Sequence, residues 1–152
     1  MRVRELMNRN LVTIAASGSC LDAVARMHRA RVRHLPVLNG DGTLAGVITD
    51  RDLRHHLFSP PVYHAIGRSP IDTLLQAARV SDIMSVPAVT VESSQDVAEA
   101  AGVMLRAKIG SLPVVEGGRL VGIITETDLL REICRADQAC SPEVTDVVVS
   151  YP

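Results

Sequence analysis

Leu21, Val24, Met27 and Val32 recur at close to helical spacing and predict an amphipathic helix after Ser19. Ser19, followed three residues later by Asp22, supplies a capping-box start with Asp in the usual Glu position. The period then changes. Two runs rich in β-branched residues, around Leu35-Pro36-Val37 and Gly46-Val47-Ile48, flank the turn Asn39-Gly40-Asp41-Gly42 and predict a hairpin. A short extended piece over Leu11 to Ile14 precedes the helix, and a second helix is expected from about Thr49. The predicted unit is β-α-β-β-α.

The pattern then returns. Val3-Arg4-Glu5-Leu6-Met7 recurs 77 positions later as Val80-Ser81-Asp82-Ile83-Met84, and Leu35-Pro36-Val37 recurs as Leu112-Pro113-Val114. Beyond the hairpin turn the offset is 76, so that Gly46-Val47-Ile48-Thr49 meets Gly122-Ile123-Ile124-Thr125. The lost residue falls where Glu116-Gly117-Gly118 replaces the longer first turn, a place where loops tolerate deletion. The second copy has its extended piece at Ala88 to Val91, its helix face at Val97, Ala101, Met104 and Leu105, and its closing helix from about Thr125.

The expected division is a first repeat over 1–58, a connector over 59–79, a second repeat over 80–136 and a tail over 137–152. In the connector, Ser59-Pro60-Pro61 should end the preceding helix. Ser69-Pro70 should start a short one carrying Ile71, Leu74, Leu75 and Ala78. In the tail, Val147-Val148-Val149 could form an edge strand or stay loose. A unit of this size hides one sheet face poorly, so pairing of the two copies is the expected remedy.

Composition narrows the function classes. Of 152 residues, 47% are hydrophobic and 22% charged, as in a globular chain. No apolar run is long enough to span a bilayer. Arg2-Val3-Arg4-Glu5 after Met1 is no secretory leader, so a cytoplasmic location is expected. The net charge of −1 gives no general pull toward nucleic acid or membrane. Two Tyr, one Phe and no Trp leave no stacking platform for single strands. Three cysteines without metal-ligand spacing read as free thiols. His55 and His56 diverge by about 100° on a helix and, with His64, read as surface residues and not as a metal site. Arg26, Arg29 and Arg33 read first as a solvated or dimer-facing stripe, with anion steering or nucleic acid as alternatives. No nucleophile or general base stands in a catalytic context, so no enzyme is expected.

The chemistry sits in the repeated phrase Gly-φ-φ-Thr-x-x-Asp (φ apolar), at Thr49 with Asp52 and at Thr125 with Asp128. The Thr stands where a strand gives way to a helix, and the Asp lies one turn on along the same face. Such a pair could hold a ribose diol on the carboxylate and a phosphate beside the hydroxyl and the first-turn N–H groups. It also satisfies a plain N-cap with an acidic third residue. The leading glycine would let backbone or ligand approach the strand.

The doubled unit, the Leu-Pro-Val strand and the doubled Gly-φ-φ-Thr-x-x-Asp phrase together resemble a tandem pair of CBS (cystathionine β-synthase-type) domains, over about residues 1 to 136. The resemblance implies a mixed α/β (α+β) fold: two β-α-β-β-α repeats packed sheet to sheet about a pseudo-twofold axis, as a flat homodimer. It implies two clefts binding AMP, ADP or ATP, with S-adenosylmethionine as a further candidate, and no required cofactor. Asp52 with Thr49, and Asp128 with Thr125, would hold ribose and phosphate; Thr13-Ile14 and Thr90-Val91 would border the adenine. Arg33-His34 would reach phosphate in the cleft of the other repeat. The second copy departs here with Gly110-Ser111, leaving Lys108 as the nearest cation and implying unequal clefts. The implied function is ligand-controlled signalling to an effector protein that the sequence does not name. The alternative is a structural or interaction module with vestigial clefts.

Overall fold

A computed structural model describes residues 1–57 and 71–137. The elements run α1 (Val3–Leu6), β1 (Ile14–Ala15), α2 (Cys20–Ala30), β2 (His34–Leu38), β3 (Leu44–Thr49) and α3 (Asp50–Leu57). The chain continues as α4 (Ile71–Ala77), α5 (Val80–Ile83), β4 (Val91–Glu92), α6 (Val97–Ala107), β5 (Ser111–Glu116), β6 (Arg119–Thr125) and α7 (Glu126–Asp137). The mixed α/β class stands as expected: two three-stranded sheets, ordered β1-β2-β3 and β4-β5-β6, each with a parallel first pair and an antiparallel second pair.

The turns explain the changed repeat offset. Gly117 and Gly118 both take positive φ (54° and 78°), which suits a two-residue turn that matches strand twist. The first hairpin uses a longer turn in which Asp41 Oδ1 accepts from the Thr43 N–H at 2.9 Å. The first strands begin later than the hydrophobic pattern suggests, at Ile14 and Val91.

Both long helices start on side-chain caps. Ser19 Oγ accepts from the Asp22 N–H at 3.1 Å, but the rest of the expected box is lost because the Asp22 carboxylate turns to Arg26 at 2.9 Å. In the second copy Asp96 and Glu99 complete a reciprocal box. The buried stripes also differ from expectation. Cys20, Ala23 and Met27 face one core and Ala100 and Met104 the other, whereas Val24 is 38% and Leu105 79% exposed. On α2 and just beyond it, Leu21 and Val32 pack against the first core beside Met27 as expected, and the small Cys20 and Ala23 join them.

Two helical turns escaped the periodicity, and they join the repeats. Val3 of α1 and Met7 just beyond it lie in the second repeat's core with Val91, Met104 and Ile124. Val80 of α5 lies in the first repeat's core with Ile14, Met27 and Ile48. The backbone repeats the exchange. Asn8 and Ile123 trade N–H···O bonds of 2.8 and 3.0 Å, and Ser85 and Val47 trade bonds of 2.9 and 3.2 Å. Each repeat completes the other, so unfolding is expected as one cooperative transition. Val3→Ala should cost about 2 kcal/mol by leaving a cavity in the second repeat's core. Urea denaturation checks this: one shifted transition is expected, and an unshifted midpoint contradicts it.

In α4, Leu75 is buried in the first core, Leu74 and Ala78 are half-buried, and Ile71 is 53% exposed, against the expected apolar face. Ser59-Pro60-Pro61, His64, Ser69-Pro70 and Val147-Val148-Val149 lie outside the described residues. Cys20 is a free, buried thiol whose pKa is pushed up to about 11 by burial and then by Asp82. Cys134 is disulfide-bonded, which corrects the expectation of a free thiol at that position.

Candidate functional site

Thr49 closes β3 and Thr125 closes β6; a helix begins at the next residue in each case. Asp52 Oδ2 accepts from the Thr49 N–H at 2.8 Å and from Thr49 Oγ1 at 2.7 Å, while Thr49 Oγ1 accepts from the Asp52 N–H at 3.1 Å. The second copy reproduces this at 2.9, 2.7 and 3.3 Å. Both pairs are closed capping boxes, and the cap reading of the sequence is correct for each.

The cap leaves one carboxylate oxygen of each Asp outside its hydrogen bonds. Both bonds that each Asp carboxylate accepts within its box fall on Oδ2. Among the described residues, Oδ1 of Asp128 meets the exposed Arg131 guanidinium at 3.8 Å. An ionised carboxylate oxygen has lone pairs enough to accept from a diol. A box of this kind can cap its helix and present an acceptor at once.

His34 opens β2 opposite Thr49 in the ladder. Burial, then the neighbouring Arg33 charge, lowers its pKa from the usual value. Asp50, Glu126 and Asp52 pull the other way. A lowered pKa leaves the imidazole mostly neutral at pH 7. Glu126 belongs to the second repeat, so His34 lies within electrostatic reach of both motifs. Arg33 is exposed, and its carbonyl accepts from the Asp50 N–H at 3.0 Å. At the matching place, the Gly110 carbonyl accepts from the Glu126 N–H at 3.0 Å and Ser111 is buried.

The remaining candidates are scattered. Lys108 ends α6 in the left-handed region (φ 55°), as Arg31 ends α2 (φ 54°), so it fills a helix-cap position and not that of Arg33. The Thr13 carbonyl accepts from Arg26 Nη1 at 2.8 Å, and Thr90 is exposed. Ile14 and Val91 send their side chains into the two cores, leaving only backbone at the sheet edge. A hollow of about 480 Å³ is bordered by Thr13, Asp22, Arg26 and Arg29; a second, apolar one of about 450 Å³ is bordered by Met27, Leu53, Leu57 and Leu75. Asp52 and Asp128 border neither.

Gly46 and Gly122 admit the other repeat. A Cβ on Gly46 would lie 2.5 Å from the Ser85 carbonyl oxygen, and one on Gly122 2.6 Å from Met7 Sδ. Sequence reasoning passed over Asp50 and Glu126, although an acid directly after the Thr in both copies was a visible signal. Among the described residues no group of three or more His, Cys, Asp or Glu side chains could hold a metal, and no helix is long and apolar enough to cross a membrane.

The family model for the CBS domain matches residues 3–59 and 80–135. A CBS domain-containing protein of Dictyostelium discoideum is 35% identical over 144 residues, covering 93% of this chain and 97% of that protein. The match to inosine-5'-monophosphate dehydrogenase of Mycobacterium tuberculosis, 33% identical over 122 residues, covers 20% of that enzyme. A relative from Methanocaldococcus jannaschii, 30% identical over 146 residues, is covered over 34% of its length. Among solved structures, a Burkholderia ambifaria protein with CBS domains, described in terms of signal transduction, superimposes with a TM-score of 0.71 at 30% identity, covering 88% of each chain. A Methanocaldococcus jannaschii protein described as a candidate archaeal homologue of γ-AMPK gives 0.77 at 27% identity, covering 87% of this chain and 47% of that one.

Proposed function

The chain belongs to the CBS domain family, and from that premise we propose that it is a non-catalytic regulatory module that binds an adenine nucleotide between its repeats and signals occupancy to a partner protein. The observation carrying this reading is the doubled Thr–Asp box, whose Oδ2 is committed to the cap while Oδ1 is left to accept a ribose diol. His34, within reach of Asp52 and Glu126 alike, supports a phosphate position shared by the repeats. The likeness to the protein described as a candidate homologue of γ-AMPK supports a regulatory role, and the likeness to the Burkholderia protein supports a signalling one.

In this reading Asp128 with Thr125 forms the stronger cleft, served by Arg33 and His34 across the repeat boundary. Asp52 with Thr49 forms the weaker one, facing Gly110 and Ser111. AMP, ADP or ATP is the ligand, with S-adenosylmethionine as a further candidate, and the protein works as a cytoplasmic homodimer. Occupancy acts by favouring one arrangement of repeats, which requires differential affinity for the two. A second reading, an interaction module with empty clefts, draws support from the self-satisfied boxes and from exposed Leu105, Leu130 and Ile133.

A thermal-shift panel of AMP, ADP, ATP and S-adenosylmethionine separates the two readings. Ligand at a hundred times its Kd should add about 2.7 kcal/mol of stability. No shift with any of them overturns the sensor reading.

A further inference from the structure

The two copies carry an acid at the same point of the motif, and its surroundings differ. Asp50 follows Thr49 and is held by Arg54 at 2.9 Å. Glu126 follows Thr125, but the position matching Arg54 is Leu130, and Glu126 makes no ion pair among the described residues. Its carboxyl group lies over Gly110: the carboxyl carbon and both oxygens fall within 3.2–3.4 Å of where a Gly110 Cβ would be. Gly110 occupies the place that Arg33 takes in the first copy. Where one repeat carries a guanidinium, the other therefore carries a carboxylate with no ion-pair partner among the described residues, on a residue whose backbone N–H bonds the Gly110 carbonyl at 3.0 Å. The charge also reaches His34 of the first repeat, so it bears on the ground between the repeats.

We propose that Glu126 selects ligand by charge: beside Thr125 and Asp128, it makes this cleft favour an adenosine-type ligand with at most one phosphate over a di- or triphosphate. This deepens the nucleotide reading and rests on it. The basic groups assigned to this cleft are Arg33, a largely neutral His34 and the exposed Arg131, which lies 3.8 Å from Asp128 Oδ1, and they are opposed by Asp128 and Glu126. Each added phosphate brings negative charge toward a carboxylate with no cation of its own. Removing that carboxylate relieves repulsion of the longer phosphate chain and leaves ribose recognition by Asp128 untouched.

The test is calorimetric titration with adenosine, AMP, ADP and ATP in an Asp52→Ala background, so that only the Asp128 cleft is read. Glu126→Gln is compared with Glu132→Gln, a carboxylate of the same helix that pairs with Arg135 at 3.7 Å. Before the change, affinity should fall from AMP to ATP. Glu126→Gln should raise ATP affinity about fivefold, the scale of two unit charges about 4 Å apart in bulk water, with adenosine affinity held within about twofold. Glu132→Gln should alter neither. Equal AMP and ATP affinities, an unchanged ATP affinity in Glu126→Gln, or parallel changes for adenosine and ATP overturn the proposal while leaving the nucleotide reading intact. Binding of none of the four by any variant overturns both.

Discussion

Gly46→Ala should destabilise the protein by about 3 kcal/mol, at the upper end of ordinary overpacking. The new Cβ would lie 2.5 Å from the Ser85 carbonyl oxygen and 3.1 Å from Met84 Sδ. The carbonyl is backbone, and Ser85 is tied to Val47 by a reciprocal pair of hydrogen bonds. It can retreat only by breaking the bridge that attaches α5 to the first sheet. Gly122→Ala is milder because the nearest atom is the flexible end of Met7, with the Asn8 carbonyl farther off at 3.2 Å. A cost of about 1 kcal/mol is expected there, since methionine repacks readily. Urea denaturation of both variants reads the difference. Equal losses, or none at Gly46, contradict the cross-repeat packing described above.

Asp128→Ala should weaken nucleotide binding about 100-fold, the scale of hydrogen bonds to a charged group. The same change removes the acceptor of the Thr125 N–H and hydroxyl. A stability cost of about 1 kcal/mol should therefore accompany it, as for any lost cap. Asp52→Ala should show the same cap cost with a smaller effect on affinity, because Arg33 and His34 are proposed to serve the other cleft. The two effects separate experimentally: melting without ligand reads the cap, and the ligand-induced shift reads the cleft. A cap cost in both variants with undiminished nucleotide affinity would reduce the Thr–Asp phrase to helix capping alone.

The hairpins, both long helices, the closing helices and the Thr–Asp spacing were legible because each depends on local signals: a change of period, glycine in a turn, an acid three residues after a cap. The exchange of α1 and α5 was not. Val3-Arg4-Glu5-Leu6 and Val80-Ser81-Asp82-Ile83 make a single turn each, too short to display a period, and recurrence says nothing of which core a segment joins. Gly46 and Gly122 were rightly read as points of close approach; what approaches is the other repeat's chain. The expected faces of α2 and α6 held at Met27 and Met104, with Leu21 and Val32 packed against the first core, and missed at exposed Val24 and Leu105, while the small Cys20, Ala23 and Ala100 are buried without having drawn the pattern. In the site, the contrast between Arg54 and Leu130 was present in the sequence, but its meaning depends on where the carboxylates of Asp50 and Glu126 lie.

In the proposed function one carboxylate caps a helix through Oδ2 and holds a ribose through Oδ1. A crystal structure of the protein with AMP measures this directly. The account predicts the ribose hydroxyls within hydrogen-bonding distance of Asp128 Oδ1, the Thr125–Asp128 box intact, and the phosphate toward Arg33 and His34. AMP bound away from Asp128, or bound there only after the box has opened, would contradict it.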